Sequence, residues 1–564
     1  MWVPEIKSGA VIVHFVGDSY STLSASHDIY NGSVLAAFSK AIVVNVNFRL
    51  GAFGFAKVNS IIVHEYLGIP YAKPPTGSRR FNPPEKITPP TKNKKFKVNK
   101  GATACPQDNI FKATIPDLYV SSVYPTNISE DCLQLNIWVP KEKTGAVIVH
   151  FVGDSYSTLS ASHDIFNGSV LAAFSKAIVV NANFRLGAFG FAKVNSINIS
   201  GNMGLLDQQM ALKWVYNNVE LFGGKKTKIT LLGVQAGSSS VQAHLYSKAS
   251  SKYFSRIALI SGVLENTWAS RTSLFTKKLS RKLVKSLQCD KQVEDKINCL
   301  RNKTIYEIIN QSYALRRSLH STFGFSFALT RRDGIFFESD FTKSGYEKKD
   351  IDVLIGNSQN EGSFFLWYFF RYFGCELDIK TKPFIDNCKI DQDQFLQIVE
   401  LFQEFYNKSS VWKDKVLDKY KTNNVIKTQV AFKFLSDFLF DCGMNQFLKK
   451  FTKENKRSTV YAYVFDHRSS KSLFPETFGT MHAAVIEYLF GHPYRYPNKY
   501  NQKKLSEEKA MSKNVIEIYG KFADKGKPSD KWKPYDSSTE KIMLLNDKYN
   551  KDSMTKYIPL LYKK

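Results

Sequence analysis

Acidic residues are what this chain is short of: 50 Asp and Glu stand against 78 Lys and Arg in 564 residues, a formal net charge of +28. An acidic surface is excluded, and nucleic acid or anionic surfaces come up as partners. The basic clusters, Lys92 to Lys100, Lys225 to Lys228 and Lys449 to Lys456, lack the interleaved aromatics that base stacking requires. No specific nucleic-acid binding is therefore expected, only a solvated lysine-rich surface with weak attraction for acidic partners. Cysteine is equally sparse, with 7 residues, too few for a small disulfide-held scaffold. No apolar run reaches the length of a membrane helix. The start, Met1-Trp2-Val3-Pro4-Glu5, runs straight into strand-like sequence without the basic segment and apolar core of a signal peptide. Neither a cofactor nor a metal is expected.

What the chain does carry is a near copy of itself. Residues 1–60 repeat residues 137–196 at a constant offset of 136, and six aligned positions differ: Met1/Ile137, Glu5/Lys141, Ile6/Glu142, Ser8/Thr144, Tyr30/Phe166 and Val46/Ala182. Solenoid repeats diverge and recur several times; this copy occurs once. Ala10 to Phe15 and Ala41 to Phe48 are apolar enough to need burial, yet a sheet interior accepts one set only. The first copy is thus expected at the periphery, along a sheet edge or exchanged with another subunit. A recent segment duplication or a mis-assembled gene explains it at least as well as a functional domain.

The most informative stretch is Ile229 to Val241, I-T-L-L-G-V-Q-A-G-S-S-S-V. An apolar strand meets a turn marked by Gly233 and Gly237, then a small-residue helix start, as in the nucleophile elbow G-x-S-x-G. Taken alone, the two glycines mark no more than a strand-to-helix turn. The middle residue is Gln235. A carboxamide cannot do a serine's work, because its nitrogen lone pair is delocalised and its oxygen carries no removable proton.

Further motifs stand in a fixed order: Leu67 to Pro75 (L-G-I-P-Y-A-K-P-P), Ala104 to Gln107, Ser129 to Pro140, Gly201 to Val215, Leu221 to Gly224, Asn360 to Phe365, Tyr463 to Arg468, His482 with Phe490-Gly491, and Trp532 to Tyr535. With the elbow, this series resembles the type-B carboxylesterases and cholinesterases from about Glu65 to near the C-terminus. The resemblance implies one α/β-hydrolase domain over 61–564: a wound, mostly parallel sheet, helices on both faces and a helical cap over a gorge. Strands are expected at Ala146 to Phe151 and Ala177 to Phe184, and helices at Leu212 to Phe222 and Ser506 to Lys525. The cap is expected as helical stretches over Thr272 to His320 and Phe370 to Phe434.

The resemblance also assigns positions. Gln235 stands at the nucleophile, Glu361 at the acid and His482 at the histidine, in the α/β-hydrolase order. Backbone donors for an oxyanion fall at Asp154, Ser155 and Ala236. The family's glycine triplet reads Gly153-Asp154-Ser155-Tyr156 here, so side chains are expected to restrict the loop and Asp154 to repel an oxyanion. Val234, Ala483 and Val485 also depart from the family pattern. Ser238, Ser239 and Ser240 rotate off the apex by roughly 100° per helical residue, and Ser155 is the better outsider among the serines. Removing a covalent nucleophile costs on the order of a million-fold in turnover, so an inactive protein that binds a small apolar or ester-like ligand, or a protein partner, is expected. The alternatives are an ester hydrolase with residual or rearranged activity, or the product of a pseudogene. Restoring serine at position 235 is expected to recover little, given the altered oxyanion loop. Ser122, with Tyr119 and Tyr124 nearby, stands where cholinesterases carry a tryptophan, so choline specificity is not expected.

By the same resemblance Cys105 pairs with Cys132 and Cys289 with Cys299, the first closing a loop that contributes roughly 3 to 4 kcal/mol. Cys375 and Cys388 are close enough to pair, and Cys442 is left free. Sequons at Asn31, Asn127, Asn167, Asn198, Asn302, Asn310 and Asn407 fit an oxidising secretory route. With no membrane tether read in the chain, soluble binding or sequestration is expected.

Overall fold

The computed structural model describes residues 11–16, 39, 42–47, 56–58, 61–87, 100–107, 128–290, 293–318, 327–371, 373–423, 425–548 and 554–556. Its centre is an 11-stranded sheet. In spatial order the strands are Met554–Lys556, Lys541–Asn546, Val460–Asp466, Asp352–Ser358, Arg256–Ile260, Ile229–Val234, Val147–Phe151, Ile178–Ala182, Gln134–Pro140, Ile61–Pro70 and Ala56–Val58. From Lys541–Asn546 to Ile178–Ala182 they run parallel, and antiparallel strands close both edges.

Parallel strands are covered on both faces, so they read as unbroken apolar runs. Val147–Phe151 (V-I-V-H-F) and Ile178–Ala182 (I-V-V-N-A) are buried throughout. Their alternate side chains divide the core in two: Val147, Val149, Ile229, Leu231, Ile257 and Leu259 pack on one face, Ile148, Val179, Leu232, Ala258 and Ile260 on the other. Leu505–Lys525 lies on the second face, where a Cβ on Gly520 would meet Ser175 at 2.8 Å. This layering is that of an α/β-hydrolase fold.

Two expectations need correction. The helix placed at Leu212 to Phe222 begins at Met203 and runs to Asn218, with a 3-10 turn to Phe222. Its first turns are buried almost all round, so no amphipathic stripe announces them. The stretch from Phe370 to Phe434 is not helical throughout. It opens with a hairpin, Cys375–Asp378 against Ile385–Cys388, in which Cys375 faces Cys388 across the ladder and bonds to it. Helices Gln392–Phe405, Ser410–Lys419 and Thr428–Ser436 follow. The other cap stretch forms Ser273–Ser286, Val293–Asn302 and Ile305–Ser318. Cys105–Cys132 and Cys289–Cys299 are bonded as well, and Cys442 is free.

In the first copy, Val11–Val16 pairs with Ile42–Asn47 in a parallel two-stranded sheet separate from the central one. The register, Val11 opposite Ile42, repeats that of Val147 opposite Ile178 in the second copy. Ala56–Val58 adds an antiparallel strand to the edge at Ile61–Val63. Apart from Ser39, the rest of residues 1–60 lies outside the described residues, as do Tyr119, Ser122, Tyr124 and Asn127.

A buried ion pair locks the helix Met203–Asn218. Arg185 meets Asp207 through two guanidinium contacts of 2.7 Å, its backbone N–H donates to the same carboxylate, and its remaining arm donates to Asn82 O. Breaking such a pair from one side strands the other charge in the interior. Asp207→Ala is expected to destabilise the protein by about 3–5 kcal/mol, read as a lower urea midpoint with an unchanged slope; an unshifted midpoint would contradict this.

Candidate active site

The elbow forms as its glycines demand. A Cβ on Gly233 would lie 2.3 Å from Gly237 O, and one on Gly237 would lie 2.5 Å from Phe151 O, so strand and helix approach too closely for any side chain. At the apex, between Ile229–Val234 and Ala236–Ala243, Gln235 takes φ 49° and ψ −112°. A non-glycine residue there stores on the order of 1–3 kcal/mol of strain. Its N–H is tied to Ile260 O at 2.9 Å.

The side chain of Gln235 is buried and folded back on its own turn. Its Oε1 accepts from Ser155 N at 2.7 Å and from Ala236 N at 2.8 Å. Both partners are backbone N–H groups, so the oxygen and not the amide nitrogen must face them. The nitrogen, Nε2, has no hydrogen-bond partner among the described residues.

The loop carrying Ser155 differs from expectation. Ser155 and Tyr156 both adopt φ 55°, the left-handed region that glycine would occupy. Tertiary bonds enforce it: Tyr156 is fully buried with its hydroxyl on Ala269 O at 2.8 Å, and Gly153 O accepts from Gly237 N at 3.1 Å. The side chains therefore do not prevent Ser155 N from converging with Ala236 N. Asp154 is the correction: its N–H donates to Thr158 O at 3.0 Å, so it is not aimed at the pocket that Gln235 Oε1 fills.

Glu361 and His482 meet. Glu361 opens the helix Glu361–Phe370 and is fully buried. Its Oε1 accepts from the Ser261 hydroxyl at 2.5 Å and from Ser358 N at 2.7 Å, and its Oε2 pairs with His482 Nδ1. The imidazole lies between Phe365 and Phe440, with centroids at 4.9 and 4.8 Å. Ala483 holds φ 56°, again in place of glycine. Ser261 and Ser358 were not singled out beforehand; as isolated serines at strand ends they carry no motif.

The serines after the elbow are engaged with backbone: Ser238 Oγ donates to Gly262 O, Ser239 Oγ to Gln235 O and Ser240 Oγ to Ala236 O. Ser155 Oγ donates to Asp154 Oδ1 at 3.2 Å. Cys442 is free, and burial raises its thiol above the usual range.

Gln235 and His482 share the wall of a cavity of about 650 Å³, a size suited to a small molecule. Val234, Phe364, Leu473 and Ile486 give it an apolar side, and Lys382 and Arg468 a basic one. His150 also lines it; burial pushes that imidazole down to about 3, so it is neutral at physiological pH. Among the described residues no group of His, Cys, Asp and Glu could hold a metal ion.

A parallel sheet with a strained residue at a central strand tip, a buried carboxylate–histidine pair and two converging backbone donors defines the α/β-hydrolase class. Within it, the chain belongs to the carboxylesterase family, whose profile matches residues 1–61 and 56–558. It is 32% identical over 509 residues to the acetylcholinesterase of Danio rerio, covering 82% of this chain and 76% of that protein. It is 32% identical over 510 residues to the cholinesterase of Mus musculus, covering 87% and 80%. Against acetylcholinesterase 4 of Caenorhabditis briggsae the identity is 30% over 494 residues, covering 83% and 78%.

Removing the Gln235 amide leaves one buried and one half-buried backbone donor without a protein acceptor. Gln235→Ala is expected to cost about 1–3 kcal/mol of stability, measured by chemical denaturation. An unchanged midpoint would mean that the donors are satisfied without the side chain.

Proposed function

We propose that this protein is a non-hydrolysing member of the carboxylesterase family that binds a small apolar or ester-like molecule, or a protein partner. The observation that carries the reading is the seat of Gln235 Oε1 on Ser155 N and Ala236 N. An ester carbonyl needs those donors to stabilise its developing oxyanion, and position 235 offers no hydroxyl for His482 to deprotonate. The cavity beside them supports ligand capture. Exposed sequon asparagines at Asn198, Asn302, Asn310 and Asn407, together with three disulfides, support a glycoprotein of the secretory route. No helix among the described residues is long and apolar enough to cross a membrane. Residues 61–564 carry every position of the site, which supports reading residues 1–60 as a peripheral duplicate.

Purified protein is expected neither to turn over a short-chain nitrophenyl ester nor to be labelled by a fluorophosphonate; stoichiometric labelling of any serine with turnover overturns the reading. Because Ser155 N and Ala236 N already converge, Gln235→Ser is expected to gain fluorophosphonate labelling, contrary to the expectation from sequence. Its turnover should stay about 100- to 1,000-fold below that of a complete site, since the N–H of Asp154 is committed elsewhere. No labelling of this variant would show that the Glu361–His482 pair cannot serve a serine at the apex.

A further inference from the structure

The Oε1 of Gln235 takes the two converging backbone donors that a reacting carbonyl oxygen would need, and the side chain is itself an acyl compound. Amide hydrolysis needs a polarised carbonyl oxygen, a base to activate water and an acid to protonate the departing amine. Gln235 Oε1 is held by two backbone donors at 2.7 and 2.8 Å, inside the range of a working oxyanion hole. His482 is oriented through Nδ1 by a carboxylate that two further donors fix in place, which leaves Nε2 to act on water. Both residues border one cavity with room for solvent. The leaving nitrogen, Gln235 Nε2, is tied to no described residue.

We propose that Gln235 is the substrate of its own site and is converted to a carboxylate by self-catalysed deamidation. Water adds to Gln235 Cδ and gives a proton to His482 Nε2, and the negative charge that builds on Oε1 rests on Ser155 N and Ala236 N. The C–N bond then breaks as His482 returns the proton to the amine, and ammonia leaves. Water in and ammonia out balance the step, with no oxidant and no cofactor. The acid so formed gives its proton to solvent or to the departing ammonia, and the resulting carboxylate keeps both backbone donors and places a negative charge at the cavity wall, which would select cationic or hydrogen-bond-donating ligands over anions.

An internal control lies in the same tryptic peptide, Ile229 to Lys248, which also contains Gln242. Gln242 is buried too, but its Nε2 donates to Glu265 at 2.9 Å and its Oε1 accepts from Leu264 N alone. The full-length protein is incubated in heavy-oxygen water and the peptide fragmented by mass spectrometry. The expected result is an amide-to-acid mass change with one heavy oxygen at position 235, at least about 100-fold faster than at Gln242, the worth of a single oxyanion donor. His482→Ala, checked for folding by its melting curve, should slow the conversion by about 100-fold or more. A wild-type Gln235 that keeps its amide as long as Gln242 does overturns the proposal, and equal conversion in His482→Ala removes the histidine from it. The inference is independent of ligand capture: an intact Gln235 leaves the binding reading standing, and failure to bind any ligand leaves the deamidation standing.

Discussion

One carboxamide oxygen shared between the amides of Ser155 and Ala236 holds the site in its present form. Buried backbone N–H groups require an acceptor, and an oxyanion hole is by construction a place where two such groups converge on empty space or a ligand. Gln235 supplies the acceptor from within the same turn. The strained apex, the loop from Gly153 to Tyr156 and the first turn of the following helix are therefore joined by a single side chain. The convergence of the two donors is not dismantled; it is occupied.

The backbone around it takes a strained shape without the glycines that would ease it. Ser155, Tyr156, Gln235, Ser261 and Ala483 all sit at positive φ, each at a cost that glycine would largely avoid. Tyr156 shows how the cost is met: its ring is sealed in the core and its hydroxyl is anchored on Ala269 O. Tertiary packing outweighs local preference here, and so Glu361 and His482 stay paired beside an apex that has no hydroxyl.

Fold and elbow were legible because they depend on spacing. Gly233 and Gly237 are needed wherever a strand turns so tightly into a helix, and the buried strands read as Val- and Ile-rich runs. The fine structure of the site was not legible. That Gln235 Oε1 turns back onto two backbone amides follows from three-dimensional convergence, not from residue type. The loop at Asp154 was misjudged because local preference says nothing of Tyr156's distant anchor, and the Cys375–Cys388 hairpin was hidden within an aromatic-rich stretch that reads as helix. Met203–Asn218 lost its beginning to burial on every side.

The twin strand pairs create a competition for one berth. Between Ile229–Val234 and Gln134–Pro140 there is room for a single parallel couple, and the chain makes two with the same register. Within the strands the two are told apart by Val46 against Ala182, and Ala182 is wholly enclosed. The extra methyl groups of a valine in that enclosed spot would cost about 1–3 kcal/mol, so this position favours the second copy for the sheet's middle.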